Sequence, residues 1–452
     1  MSKKLLAQSK QFRLTGLIAV VAALAVVGAY FILHIHAATC SSPPGDANCD
    51  TVVNVLDLSI LATNWGKTSA TWSMGDFNGD TVVNIIDLSI MASHWGSGGG
   101  GNPPGAYVSG NRLVDGSGNT LLLHGVNVPS ALWACAQNLG IFQEPTDQTA
   151  VNALLSWHIN AVRVAVNEDC WLGINGVPAQ YAGQNYINGI VNYINLLNQN
   201  GIYAILDLQA VAPGTNLAAA IGAPQSPMPD QDHAPAFWSS AAATFKNNRG
   251  VLFDLYNEPW PDNNSDTTAA WTCWKNGGTC SGVTYNGASY QAAGMQELVS
   301  TIRTAGANNV LMLGGTNFAY KFDQWLSMEP TDPAGQLAAS FHTYFGACPL
   351  NNNNPSQVSP DTCYGNFKAT VGAQVPIITG ELGEGDCASG MVTPYMNWAD
   401  ANGVSYLGWG WDPFDCNNFP SLITNYNGTP TNFGLGFQQH YQSVFPTTPP
   451  LH

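Results

Sequence analysis

Val251-Leu-Phe-Asp-Leu-Tyr-Asn-Glu-Pro-Trp260 reads as a buried strand that ends in polar chemistry. Its first residues are apolar and β-branched or aromatic, as a strand covered on both faces requires. Pro259 has no amide proton to continue a ladder, and it holds Glu258 in extended geometry. A carboxyl at the rim of an apolar strand is partly desolvated, which raises its pKa, and a second carboxyl nearby raises it further. Val375-Pro-Ile-Ile-Thr-Gly-Glu381 repeats the design, with Gly380 allowing close backbone approach. The competing reading of either glutamate is an ordinary loop residue.

Other apolar, β-branched runs fall at 161–166, 203–208, 310–313 and 404–411. Helical stripes lie between them: Ile187, Ile190, Val191, Ile194 and Leu197, then Met295, Leu298, Val299 and Ile302. This alternation predicts α/β architecture with a parallel sheet, either a closed (β/α)8 barrel or a doubly wound sheet. The absence of a GxGxxG after an early strand weighs against a dinucleotide-binding sheet. Arg163, Asn167, Asp207, Asn257, Glu258, His342, Tyr344, Glu381 and Trp409 gather near the strand ends, where a TIM barrel keeps its active site. Two carboxyls facing each other across one bond are the minimal equipment for hydrolysing a glycosidic linkage.

Composition agrees with a neutral, ring-shaped partner. The 452 residues are 45% hydrophobic and 9% charged, with a formal net charge of -16. Of the 13 Lys and Arg, Lys3, Lys4, Lys10 and Arg13 sit at the extreme N-terminus. The acidic remainder offers no basic patch, so nucleic-acid binding is not expected. The 14 Trp and 16 Tyr supply flat faces for core packing or for stacking on sugars. Trp171, Trp260 and Trp411 are the candidates for the second use.

Residues 1–13 form a basic tail. Leu14 to Leu33 then runs uncharged for about 20 residues, enough to span a bilayer. The segment 14–38 is expected to be a signal anchor that tethers the chain to the membrane, or a cleaved signal peptide, with the body outside. Export suits the ten cysteines, which fall as neighbours in sequence: Cys40/Cys49, Cys135/Cys170, Cys273/Cys280, Cys348/Cys363 and Cys387/Cys416. Local pairing in that order is the expectation. A zinc site is the competing use, and the lack of a CxxC pair or a histidine cluster argues against it.

An internal repeat precedes the alternating region. Residues 45–66 read GDANCDTVVNVLDLSILATNWG and residues 75–96 read GDFNGDTVVNIIDLSIMASHWG. Asp46, Asn48, Asp50, Asn54 and Asp57, then Asp76, Asn78, Asp80, Asn84 and Asp87, follow the oxygen-donor spacing of an EF-hand loop suited to Ca²⁺. Residues 97–105 are a Gly/Pro linker.

Residues 106–452 resemble glycoside hydrolase family 5, the cellulase and mannanase family of retaining (β/α)8 barrels. The likeness runs through Asn160-Ala-Val-Arg163, Ala204-Ile-Leu-Asp-Leu208, Asp254-Leu-Tyr-Asn-Glu-Pro259, Ser340-Phe-His-Thr-Tyr344, Thr379-Gly-Glu-Leu-Gly383 and Gly403-Val-Ser-Tyr-Leu-Gly-Trp409. It implies Glu258 as general acid/base and Glu381 as nucleophile, with Glu384 and Asp386 as rivals for the second role. It implies Asn257 against a sugar 2-hydroxyl, and Arg163 to steady the nucleophile and favour its ionised form. His342 would hold the acid/base, Tyr344 the nucleophile, and Trp409 would floor the subsite beside the scissile bond. No catalytic cofactor is implied. The expected reaction is endo-acting hydrolysis of β-1,4-glucan with retention. Mannan or another β-glycan, or a catalytically impaired sugar-binding protein, is the alternative. One departure is Gln209, where the family usually has histidine; it is assigned to substrate binding.

Residues 40–96 resemble a dockerin, a small all-α pair of EF-hands that implies a cohesin partner. Two positions depart from that pattern. The sixth loop residue, usually glycine, is Thr51 and Thr81, and the cohesin-facing positions are the apolar pairs Val55/Leu56 and Ile85/Ile86. A calcium-stapled spacer without a partner is the competing reading.

Overall fold

Eight short strands, buried on both faces, close the larger part of the chain into a parallel barrel. The computed structural model describes residues 44–48, 53, 55–94, 103–344, 360–417 and 419–444. The chain divides into two units, Met1–Gly96 and Ser97–His452. In the second, the barrel strands are β1 His124–Val128, β2 Ala161–Asn167, β3 Tyr203–Ala210, β4 Val251–Asp254, β5 Leu311–Gly314, β6 Leu337–Tyr344, β7 Ile377–Gly383 and β8 Ser405–Gly408. Each pairs in parallel with its neighbours in sequence, and β8 closes on β1. The expected (β/α)8 barrel is therefore the fold, and the doubly wound alternative is excluded.

Alternation sorts each strand by height as well as by face. Ala161, Tyr203, Ile205, Leu252, Met312, Ala338, Ile378 and Leu407 make one apolar cluster with Ala106 and Leu113 of a hairpin ahead of the barrel. Two residues farther along the same strands come Arg163, Asp207, Asp254 and Ser340, all fully buried. The barrel is thus an apolar plug at its N-terminal end and a polar layer toward its C-terminal end. The outward positions, such as Ala204, Leu206 and Leu208 of β3, join the large core shared with the helices.

Strands β1 and β6 have no strong apolar run, and hydrophobicity alone does not find them. Their sequences, HGVNV and LAASFHTY, hold small and polar residues: Asn127, Ser340, His342 and Tyr344 face the polar layer, while His124 and Thr343 bond outward to Asp400 and Tyr364. The helix Gln184–Gln199 buries Tyr186, Ile190, Tyr193, Ile194 and Leu197, so the stripe is rotated slightly from Ile187 and Val191 toward the tyrosines. Met295–Thr304 buries the four residues its spacing predicts.

Cys135–Cys170, Cys273–Cys280 and Cys387–Cys416 are bonded as neighbours in sequence. Cys363 is also disulfide-bonded. Cys40, Cys49 and Cys348 lie outside the described residues, as do the basic tail and the apolar stretch Leu14–Leu33. No helix among the described residues is long and apolar enough to cross a membrane.

In the first unit, helices Val55–Thr63 and Ile85–Ser93 pack over Ala47, Val53, Leu61, Ala70, Phe77, Val83 and Met91. The second helix starts on a capping box: Asn84 Oδ1 accepts from Ile86 N at 2.7 Å, and Asp87 Oδ2 accepts from Asn84 N at 2.9 Å.

Candidate active site

The polar layer is organised by one guanidinium. Arg163 on β2 is fully buried and reaches four neighbouring strands. Its Nε donates to Asp254 Oδ2 at 3.0 Å, and Nη1 donates to Asn127 Oδ1 at 3.0 Å and to Glu381 Oε1 at 2.9 Å. Its Nη2 donates to Asn257 Oδ1 at 2.8 Å and lies 3.0 Å from Asp207 Oδ1, an ion pair without hydrogen-bond geometry. Burial acts against the Arg163 charge, and Asp207, Asp254 and Glu381 together overcome it, so the group stays cationic. One cation does not offset three buried carboxylates. Burial pushes Asp207 well above the usual carboxylate range and Asp254 to about 6, with Arg163 pulling both back.

The two glutamates face each other over this layer. One oxygen of Glu258, one of Glu381 and one ring nitrogen of His342 lie within 4.8 Å of one another. His342 Nδ1 is 3.0 Å from Glu258 Oε1 and 3.6 Å from Glu381 Oε2. Tyr344 donates its hydroxyl to Glu381 Oε2 at 2.5 Å. A register shift between Phe341 and His342 pairs His342 directly with Glu381 across β6 and β7, leaving Gly380 as the extra residue. A Cβ on Gly380 would sit 2.9 Å from His342 Nε2 and 3.0 Å from Ser340 Oγ, so only glycine keeps the histidine in place.

Burial pushes Glu258 up to about 7, against the opposing pull of the Gln225 amide and the Arg163 charge. A sequence reading that gave part of this shift to the second carboxylate is corrected here: desolvation carries it. Burial also holds His342 down to about 4, the Glu381 charge opposing, so the ring is neutral at pH 7. A neutral ring positions Glu258 without supplying a competing charge.

Gln209, Glu258, Tyr344, Glu381, Trp409, Phe419 and Pro420 line a cleft of about 570 Å³ with Gly385 and Asp386. Gln209 stands on the inward face of β3, and its Oε1 is buried with no hydrogen-bond partner. Of the rival nucleophiles, Glu384 is buried and accepts from the amides of Met391 and Val392, which commits it to a helix start. Asp386 is exposed at the cleft rim and accepts from Ala388 N. Trp171, bonded to Ser240, and Trp411, packed edge-on against Trp157, are core residues rather than sugar platforms. Trp260 is half-buried against Phe318 and remains a candidate platform. Sequence reading missed the parts of Asn127, Asp254 and Gln225. The first two are polar residues at inward strand positions, a signal that period-two counting finds; nothing local marks Gln225.

In the repeat, Asp46, Asp57, Asp76 and Asp87 are buried. Asp76 accepts from the amides of Gly79 and Thr81, and Asp87 Oδ1 from Phe77 N, so the second loop curls around its carboxylates. Asn78 Oδ1 accepts from Asp80 N at the exposed rim. Thr81 takes the left-handed conformation usual for glycine at the sixth position, φ +69°. Asp57 Oδ1 accepts from the amides of Ala47 and Asn48 in the first loop. Asp50, Thr51 and Asn54 lie outside the described residues. Lys67 is the only lysine or arginine between residues 44 and 94, and it bonds Asn64, so these buried carboxylates fit a cation.

Residues 114–415 match the family model for cellulase, glycosyl hydrolase family 5, and residues 44–94 match the dockerin type I domain. The chain belongs to glycosyl hydrolase family 5 and is a glycoside hydrolase, a class that needs no catalytic cofactor. Its other module is of a calcium-binding type. It is similar to cellulase CelDZ1 of Thermoanaerobacterium sp, 22% identical over 66% of this chain and 67% of that one. It is similar to an endoglucanase of Halalkalibacter akibai, 24% identical over 66% of this chain but only 34% of the relative. A mannan endo-1,4-beta-mannosidase of Cellvibrio japonicus is 23% identical over 73% of this chain and 65% of that one. In fold it is similar to the beta-glucanase SdGluc5_26A of Saccharophagus degradans in complex with cellotetraose, with a TM-score of 0.56 and 19% identity over 76% of this chain and 95% of that one.

The Glu258 shift carries a stability consequence. Its folded pKa of about 7 lies above the unfolded carboxyl value, so the neutral form is the one folding favours. Stability from this group is present at low pH and is lost as pH rises through about 7. Glu258→Gln, a neutral isostere, is expected to stabilise the fold by roughly 1–3 kcal/mol at pH 8 and hardly at all at pH 4. Thermal unfolding of both proteins at the two pH values checks this; equal melting temperatures at pH 8 would sink it.

Proposed function

We propose that the chain hydrolyses β-1,4-glucan from within the polymer, with retention of anomeric configuration, Glu381 acting as nucleophile and Glu258 as acid/base. The observation that carries this reading is the approach of the two carboxyls to within 4.8 Å. Retaining enzymes hold theirs about 5 Å apart, whereas inverting ones leave room for a water. Glu381 Oε attacks the anomeric carbon as the Glu258 proton moves to the leaving oxygen. A water then replaces the enzyme ester, giving its proton back to Glu258. The raised pKa of Glu258 supports the acid role at neutral pH. On this reading Asn257, which accepts from Arg163, bonds the sugar 2-hydroxyl, and Trp409 floors the adjoining subsite.

A second reading keeps the chemistry and changes the polymer to mannan. It is favoured by Gln209, whose unpartnered oxygen in the cleft offers an acceptor to a sugar hydroxyl, where a histidine would offer a ring. The mannosidase among the relatives is consistent with it.

For the repeat we infer two Ca²⁺ ions, in loops beginning at Asp46 and Asp76, and a cohesin-type partner met partly through Ile85 and Ile86, which are 64% and 52% exposed. Export through the apolar segment 14–38, retained as an anchor or cleaved, places the barrel outside the cell. The neighbouring disulfides support an oxidising compartment.

Three measurements test the reading. Reducing-sugar release from a panel of cellulose-like, mixed-linkage and mannan polymers is expected to be greatest on β-1,4-glucan and to fall at least 10³-fold in Glu258→Gln; mannan as the preferred polymer would install the second reading. Azide is expected to restore turnover to Glu381→Ala with an inverted glycosyl azide as product, and rescue confined to Asp386→Ala would move the nucleophile. Calorimetric titration of the chelated protein with Ca²⁺ is expected to lose one equivalent on Asp76→Ala, and an unchanged isotherm would leave that loop without an ion.

A further inference from the structure

Three buried carboxyls and one imidazole meet beside the cleft, in a place the hydrolytic reaction does not use. Glu168 and Asp169 directly follow β2. Asp230 and His233 close the long segment that leaves β3 after Ala210. Glu168, Asp169 and Asp230 are fully buried, and the His233 side chain is 16% exposed. One donor atom from each of Glu168, Asp169 and His233 lies within 4.8 Å of the other two. His233 Nδ1 is 3.3 Å from Asp230 Oδ1 and 3.9 Å from Glu168 Oε1.

An outer layer orients these groups, as metal sites require. Glu168 Oε1 accepts from Ala212 N, and Asp169 Oδ2 accepts from Ala218 N, both at 2.8 Å. Asn175 Nδ2 donates to Asp169 Oδ1 and to the Asn216 carbonyl. Asp230 Oδ1 accepts from His233 N. Two oxygens are left over: Glu168 Oε2 and Asp230 Oδ2 are buried without a hydrogen-bond partner. Among the described residues no lysine or arginine pairs with the cluster; His233 is the one basic side chain beside it. Buried charges are neutralised by a partner or by an ion. Asn216 and Asp232, close in sequence to these groups, line an open pocket of about 400 Å³ with Pro213, Gly214 and Tyr285.

We infer that Glu168, Asp169, Asp230 and His233 form a site for one divalent cation of the oxygen-preferring class that tolerates a single imidazole, as Mn²⁺ does. The ion would brace the segment 211–233 through the Ala212 and Ala218 amides. That segment carries Gln225, whose Nε2 lies 3.5 Å from Glu258 Oε2, so the site stabilises one wall of the cleft without touching the reacting atoms. The competing occupant is a proton shared between Glu168 and Asp230.

The two Ca²⁺ sites proposed for the repeat would also take Mn²⁺, but their Asp and Asn side chains offer oxygen, which gives the test its handle. The full-length protein is stripped with chelator, loaded with MnCl2 and studied by pulsed electron paramagnetic resonance. Nitrogen modulation from one imidazole is expected in the wild type and its loss in His233→Gln. The titrated stoichiometry is expected to fall by one equivalent in Glu168→Gln, which keeps the acceptor for Ala212. The nitrogen signal is read on the unmodified chain, so it does not depend on a variant folding. All-oxygen Mn²⁺ in the wild type, or nitrogen modulation that survives His233→Gln, would overturn the assignment and leave the shared proton. Neither outcome bears on glycan hydrolysis, so the two readings fail separately.

Discussion

The buried guanidinium of Arg163 is the constraint on which the rest of the site depends. It stands where the interior of the barrel changes from apolar to polar, and it holds Asn127 of β1, Asp254 of β4, Asn257 just beyond β4 and Glu381 of β7 in one layer. A planar fork with five donors does this from a single side chain; a lysine would offer one charge and no fixed directions. Buried ion clusters of this kind contribute little net stability, because desolvation opposes the attraction. Their yield is geometry. Glu381 and Asn257 are held by the same guanidinium, so the proposed nucleophile and the proposed partner of the 2-hydroxyl are set relative to each other.

Around that fixed layer, burial separates the two glutamates. Glu381 receives a guanidinium and a phenol, both donors to a carboxylate. Glu258 receives a neutral imidazole and a distant amide, neither of which offsets its desolvation. Two side chains of the same chemistry therefore meet different surroundings: one is solvated by the protein, and the other is not. The low pKa of His342 belongs to this arrangement: a charged ring 3.0 Å from Glu258 Oε1 would favour ionisation of that carboxyl.

Much of this was legible before any coordinate. Runs such as Val251–Tyr256 and Ala161–Val166 declare buried strands, and their order with the intervening helical stripes indicates a parallel β/α fold, whose closure into a barrel is set by the pairing of β8 with β1. Glu258 and Glu381 stand out because each ends such a run. What stayed hidden has a physical pattern. Strands β1 and β6 carry HGVNV and LAASFHTY, where the inward positions are given to chemistry rather than to packing, so the apolar signal that marks a strand is absent where function is densest. Asp254 was visible as an acid inside an apolar run, yet its role depends on Arg163, 91 residues away. Gln225 sits in a segment without periodicity, and only the path of that segment over the cleft brings it to Glu258. Trp171 and Trp411 erred in the other direction: an aromatic near a strand end is as well suited to the helix–strand core as to a sugar face, and burial decides.

Gln209 tests how much of the site follows from its neighbours. It occupies an inward position of β3, two residues beyond Asp207, so the alternation of the strand aims it into the cleft whatever its identity. Its backbone place is fixed by the barrel; only its chemistry is free to vary. An amide oxygen buried without a partner is an unfavourable state, costing roughly 1–3 kcal/mol for a neutral group. The Arg163 layer and the glutamate pair do not rest on Gln209, since none of their hydrogen bonds involves it. Substitution at this position therefore leaves the Arg163 layer and the glutamate pair intact and changes only the chemistry of the cleft wall beside them.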